Sequence, residues 1–191
     1  MRRSREDTTA TRLQIVEAAA RLFRERGING IGLADLMGEV GLTHGGFYKH
    51  FPSKDALAGE ACAAALAQTR SELESRAGAA RDEQAFKTAV SSYLGQAHRD
   101  HPEEGCPIAA LGSELARGDG PPRAALVEGV DALLQTLRRQ MARSGVDEKR
   151  LPAHAVLAAM VGGLLLARVV EDPAKVRAIL RDTQALILKA A

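Results

Sequence analysis

Thr43, His44, Tyr48, Lys49 and His50 bring hydroxyls, imidazoles and an ammonium around Gly45 and Gly46 within one short stretch. Such a set suits phosphate oxygens and base edges, because it offers donors of several geometries beside peptide groups that no side chain shields. The adjacent glycines are the informative part. Each costs a helix about 1 kcal/mol against alanine, so an element with a purely structural task gains nothing from them. The stretch reads as a short helix entered through Gly41 and Leu42, capped by Thr43, halted before Pro52, and followed at once by a new helix capped by Ser53. Thr43, His44, Gly45, Gly46, Tyr48, Lys49, His50 and Lys54 are the residues expected to meet double-stranded DNA, while Phe47 and Phe51, four apart, anchor the segment to a core.

The flanking sequence supplies elements to hold that segment. Residues 1–10 read as a mobile basic arm, and a first helix spans about 11–26, with Ile15, Ala19, Leu22 and Phe23 at the spacing of one buried stripe. Gly27 ends it, residues 28–32 form a turn, and a short helix over 33–39 turns Leu33, Leu36 and Met37 inward. Gly41 makes the corner into the glycine-bearing helix. A helix beneath a helix, corner and helix is the three-helix form of the helix-turn-helix unit.

The run Ile15-Val16-Glu17-Ala18-Ala19-Ala20-Arg21-Leu22-Phe23, Gly27, the segment from Gly41 to Phe51, and Lys54-Asp55-Ala56-Leu57 together resemble the N-terminal signature of TetR/AcrR-type transcriptional repressors. The resemblance covers about the first 60 residues. It departs at Gly32, where members usually carry a Thr that caps the second helix and touches a phosphate. It implies an all-helical homodimer that represses transcription and releases DNA when a small molecule binds its larger C-terminal domain. Carried over by position, it implies phosphate contacts at Thr43, Tyr48, His50 and Lys54, and base-edge contacts at His44 and Gly46.

The expected fold is all-α with about nine helices: a helix-turn-helix domain over residues 1–54 and an effector-binding and dimerisation domain over 55–191. A long alanine-rich helix over about 53–77 links the two. After a break at Gly78 to Ala80 come a helix marked by Phe86, Val90, Tyr93, Leu94 and Ala97 that ends near 98–102, one over 107–117 with Pro107 as its first residue, and one from the Gly118 to Pro122 loop to Gly145. A helix over 151–171, apolar nearly all round, and one over 173–190 complete the chain. These last two are expected to form the homodimer interface through Val156, Met160, Gly163, Leu164, Ile179 and Leu186, as an isologous four-helix packing in which Gly162 and Gly163 admit a close neighbour. Phe86, Val90, Tyr93, Cys106, Ile108, Leu111, Leu134 and Leu137 are expected to line a mostly aliphatic effector pocket.

Cys106 falls at a helix N-cap, where the dipole favours a thiolate, so an oxidant or electrophile acting there is one way to switch the protein. The rival reading is a small cytosolic helical enzyme or thiol-dependent binding protein centred on Cys106. His98 and His101 beside it make a poor metal or catalytic set, because Pro102 breaks their shared face. No cofactor or metal is implied. Two cysteines give no disulfide framework.

Composition limits these readings without deciding them. With 46% apolar and 26% charged residues the chain is a folded one rather than a disordered one. A net charge of +2, with acids and bases nearly balanced over residues 1–60, gives no bulk attraction to nucleic acid, so the case rests on local placement. Acidic Glu6 and Asp7 stand where a signal peptide needs its apolar run, and the apolar stretch over 155–170 is short and holds Gly162, Gly163 and Arg168. A cytoplasmic location without a membrane span is expected.

Overall fold

A computed structural model describes residues 5–191. Among them are ten helices and no strand: α1 (Arg5–Arg26), α2 (Leu33–Glu39), α3 (His44–Phe47), α4 (Lys54–Gly78), α5 (Asp82–Tyr93), α6 (Gln96–Asp100), α7 (Pro107–Leu115), α8 (Pro121–Arg143), α9 (Ala153–Val169) and α10 (Pro173–Ala190). The single helix expected between the Gly78 to Ala80 break and about 98–102 is two pieces, because the backbone turns extended at Gly95 (φ −79°, ψ 153°) between α5 and α6. The expected mobile arm is shorter than read: α1 starts at Arg5. Residues 1–4 of that arm lie outside the described residues.

Helix α1 buries Ile15, Ala19, Leu22 and Phe23 against Leu36 and Met37 of α2 and against Phe47 and Phe51. Gly41 takes a positive φ of 69°, a conformation open to glycine and strained for other residues, and Leu42 N–H then closes on the Met37 carbonyl at 2.9 Å. The α2–α3 corner is thereby fixed. Ser53 accepts from Ala56 N–H at 3.1 Å and starts α4, as expected.

One continuous apolar cluster runs from α1 into the C-terminal helices, and two polar ties cross between the halves. The buried Arg24 guanidinium donates to the Ala20 carbonyl and, 81 residues on, to the Gly105 carbonyl, both at 2.9 Å. The Glu114 carboxylate of α7 accepts from Ile28 N–H, Asn29 N–H and Asn29 Nδ2 at 3.2, 3.1 and 2.8 Å. The α1–α2 turn is held to α7 by these bonds.

Helices α9 and α10 pack on one another within the protomer, and this corrects the expected outward face. Val156, Met160, Gly163 and Leu164 point into the protomer's own core, and an added Cβ at Gly163 would lie 2.9 Å from Thr183 of α10. The close neighbour that glycine admits is α10 of the same chain. Ile179 is half-buried, and of the expected set only Leu186 is exposed; the outward apolar residues are Leu165, Leu166, Val169 and Leu186. Among the described residues no helix is long and apolar enough to cross a membrane.

Candidate nucleic-acid interface

Phe47 and Phe51 seat the α3 segment. Both are buried, their rings stack with centroids 5.7 Å apart, and the Arg12 guanidinium covers Phe51 at 4.5 Å while pairing with Glu60. Helix α3 proper is shorter than the sequence implies, but its path continues as hydrogen-bonded turns to Phe51, where N–H meets the Phe47 carbonyl at 3.1 Å. The polar residues are carried on this anchored ridge.

Thr43 holds the N-cap position with extended backbone (φ −83°, ψ 153°), but its hydroxyl makes no cap hydrogen bond, which corrects the expected cap. His44, Gly45, Tyr48 and Lys49 are exposed, and Gly46 and His50 half-buried. Tyr48 is 62% exposed yet braced edge-on by the rings of His44 (5.9 Å) and Phe47 (5.2 Å). A Cβ at Gly45 would meet nothing within 4 Å, and one at Gly46 only Thr43 Oγ1 at 3.8 Å and Met37 Cε at 3.9 Å, ordinary contact distances. Nothing in the protomer requires either glycine.

Lys54 is placed differently from the expectation. Its Nζ donates to the Ile31 carbonyl at 2.6 Å and lies 6.0 Å from the Phe23 ring centre, so it ties the start of α4 to the α1–α2 turn instead of reaching outward. Gly32, at the N-cap of α2, supplies no side-chain cap, as expected from the residue type.

The expected effector-pocket residues do not enclose a space. Phe86, Val90, Cys106, Leu111 and Leu137 are packed in the core, with Ile108 and Leu134 half-buried against it. An open cavity of about 110 Å³ lies instead between α4, α5, α6 and the following loop, with Thr69, Leu73, Arg76, Tyr93, His98 and Gly105 among its walls. Tyr93 alone belongs to both sets. His98 is fixed by both ring nitrogens: Nδ1–H donates to the Tyr93 carbonyl at 2.7 Å and Nε2 accepts from Cys106 N–H at 2.8 Å. Burial lowers its pKa to about 4, so it stands neutral in that tautomer.

Cys106 does sit at the N-cap of α7, but it is fully buried and burial pushes its thiol above the ordinary value. The expected thiolate is therefore corrected: desolvation outweighs the helix dipole. The periodicity argument missed Arg24, whose sign was visible: a charged residue four positions after Ala20, on the stripe that α1 buries.

Comparison with known proteins matches both halves of the chain. Residues 15–61 match the family described as bacterial regulatory proteins, tetR family, and residues 82–182 match the C-terminal domain of LmrA/YxaF-like transcriptional regulators. The HTH-type transcriptional regulator TtgR of Pseudomonas putida is 44% identical over 57 residues, a match spanning 30% of this chain and only 27% of that protein. The HTH-type transcriptional regulator LmrA of Bacillus subtilis is 31% identical over 164 residues, covering 82% of this chain and 86% of that protein. A solved TetR transcriptional regulator from Chloroflexus aurantiacus superposes with a TM-score of 0.79 at 26% identity, over 96% of each chain. The reduced form of E. coli NemR, 19% identical with a TM-score of 0.75 over 91% of this chain and 95% of its own, shares the fold. With both halves matched and a relative aligned over most of its length, this chain belongs to the TetR family of bacterial transcriptional regulators.

Proposed function

We propose that the protein is a ligand-responsive repressor that binds a pseudo-palindromic operator as a homodimer. The single observation behind this is the glycine pair of α3: at a site where the fold has open space for a methyl group, the sequence keeps bare peptide, as an element does when a duplex must come against it. Thr43, His44, Tyr48, Lys49 and His50 flank that face, with Thr43 and Tyr48 suited to phosphate and His44 to a base edge. Lys54 acts from behind, holding the α1–α2 turn to α4.

Dimerisation is assigned to the outward faces of α9 and α10, through Leu165, Leu166, Val169 and Leu186. It would place two α3 segments in successive major grooves. The effector site is assigned to the C-terminal domain, and because effector and operator prefer different states, each weakens the binding of the other by the same factor. Footprinting on the intergenic DNA that flanks the coding region tests the reading. Two protected segments about one helical turn apart are expected; a chain that binds no duplex at low salt would overturn it.

A further inference from the structure

We propose that Glu114 is a positioning residue for operator recognition: from α7 it locks the angle of the helix-turn-helix unit on the C-terminal domain, and so makes the protein selective for one spacing of the two operator half-sites. The inference rests on the reading above of a homodimer on a pseudo-palindromic operator and names a residue that sets its specificity. Three observations carry it.

The first is where the carboxylate sits. Glu114, half-buried in the last turn of α7, accepts from the N–H groups of Ile28 and Asn29 at 3.2 and 3.1 Å and from the Asn29 side-chain amide at 2.8 Å. These donors follow directly on the C-terminus of α1, an end whose dipole disfavours an anion. The carboxylate is held there by the N–H groups of the turn, which form the kind of concave donor set that suits an anion. The approach is close: a Cβ at Gly27 would lie 3.1 Å from Glu114 Oε2.

The second is that α7 grips the unit at both of its ends. Gly105, two residues before α7 begins at Pro107, accepts from the buried Arg24 guanidinium of α1 at 2.9 Å. Along a helix, residues 107 and 114 are about 10 Å apart. A single tie leaves a pivot, whereas two ties separated in this way fix an angle. Glu114, Ile28 and Asn29 all lie outside the stretch from Thr43 to His50, so the tie can be cut without altering a residue placed against DNA.

The third is what the turn carries. Ile31 of the same turn accepts from Lys54 Nζ at 2.6 Å, α2 begins two residues later at Leu33, and Leu42 N–H on the Met37 carbonyl fixes the corner into α3. A rotation of the turn therefore takes α2 and α3 with it. In a two-fold dimer that rotation changes the distance between the two α3 segments, while the duplex sets it at one helical turn, about 34–36 Å.

Fluorescence anisotropy of the full chain tests the assignment on four duplexes: the footprinted operator, the same operator with one or with two base pairs inserted between its half-sites, and a single half-site. The parent protein is expected to bind each inserted operator at least tenfold more weakly than the native one. In Glu114→Gln an amide replaces one acceptor oxygen and turns N–H groups toward the donors of the turn. The freed unit can then swing to reach either spacing, so that ratio should fall at least threefold while single half-site affinity stays the same. Asn29→Ala removes one of the three bonds from an exposed side chain; it should lower the ratio in the same direction, and it decides the matter should Glu114→Gln fail to fold. An unchanged ratio in the deciding variant, or an equal loss on every duplex including the half-site, would overturn the assignment of Glu114 and leave the homodimer reading standing. A parent protein that bound the native and inserted operators equally would sink the homodimer reading, and the assignment with it.

Discussion

A methyl group at position 45 would touch no other atom of the chain within 4 Å, so Gly45→Ala should raise stability by up to about 1 kcal/mol through helix propensity. If a duplex seats on that peptide, the same methyl is wedged into a close contact costing on the order of 1–3 kcal/mol, about tenfold or more in affinity. Thermal melting and fluorescence anisotropy on the same preparation separate the two effects, and a stabilised protein with unchanged affinity would place the duplex elsewhere. His98 gives a residue-scale test of a different kind. Its folded pKa of about 4 lies below the ordinary 6.5 because the ring is buried, so the unfolded chain takes up a proton first as pH falls. Stability is full above about pH 6.5 and is lost progressively toward pH 4, by roughly 3 kcal/mol. His98→Gln should lower stability at neutral pH yet flatten that slope in denaturant titrations run across the range; an unchanged slope would assign the acid sensitivity to other groups.

Between elements, the most demanding contact is where α8 starts beside α4. A Cβ at Gly59 would lie 2.8 Å from Pro121 Cβ and 3.1 Å from its carbonyl carbon, and neither a ring nor a backbone can rotate away. Gly59→Ala should push the start of α8 outward and lower the denaturant midpoint by the equivalent of about 1–3 kcal/mol; a neutral result would mean that the joint between α4 and α8 gives easily. The sequence carried much of this architecture where an apolar stripe is one-sided: Ile15, Ala19, Leu22 and Phe23 mark the buried face of α1, and Leu133, Leu137 and Met141 that of α8. It carried less for α9, which is apolar nearly all round, so spacing could not tell which face meets α10 and Val156, Met160 and Leu164 were assigned outward although they are buried. The exposed polar set around the α3 glycines was legible as a group because two glycines and a set of donors are a local pattern. The role of Lys54 was not, since its partner is the Ile31 carbonyl, 23 residues away. The cavity was missed for a related reason: it is a gap among three helices and a loop, and a gap leaves no periodicity.

For the whole molecule, the protomer leaves an apolar face in water on its last two helices, with Leu166 56%, Val169 71% and Leu186 68% exposed. Across a two-fold axis a residue near the centre of such a face lies close to its own copy, so a charge placed there is buried opposite a like charge. Leu166→Glu should therefore convert the dimer to monomer in sedimentation velocity. Helical content should stay the same, because the side chain makes little of the protomer's own core. Each recognition segment would then have to hold its half-site alone, losing the gain that comes from tethering two binding units, roughly a hundredfold or more in operator affinity. A charge at Leu13, exposed on α1 at 55%, serves as the matched control, since α1 lies outside that face and its substitution should leave the dimer intact. If Leu166→Glu sedimented and bound like the parent protein, the two copies would have to meet through another surface, and the spacing of the two α3 segments on DNA would need a different geometry.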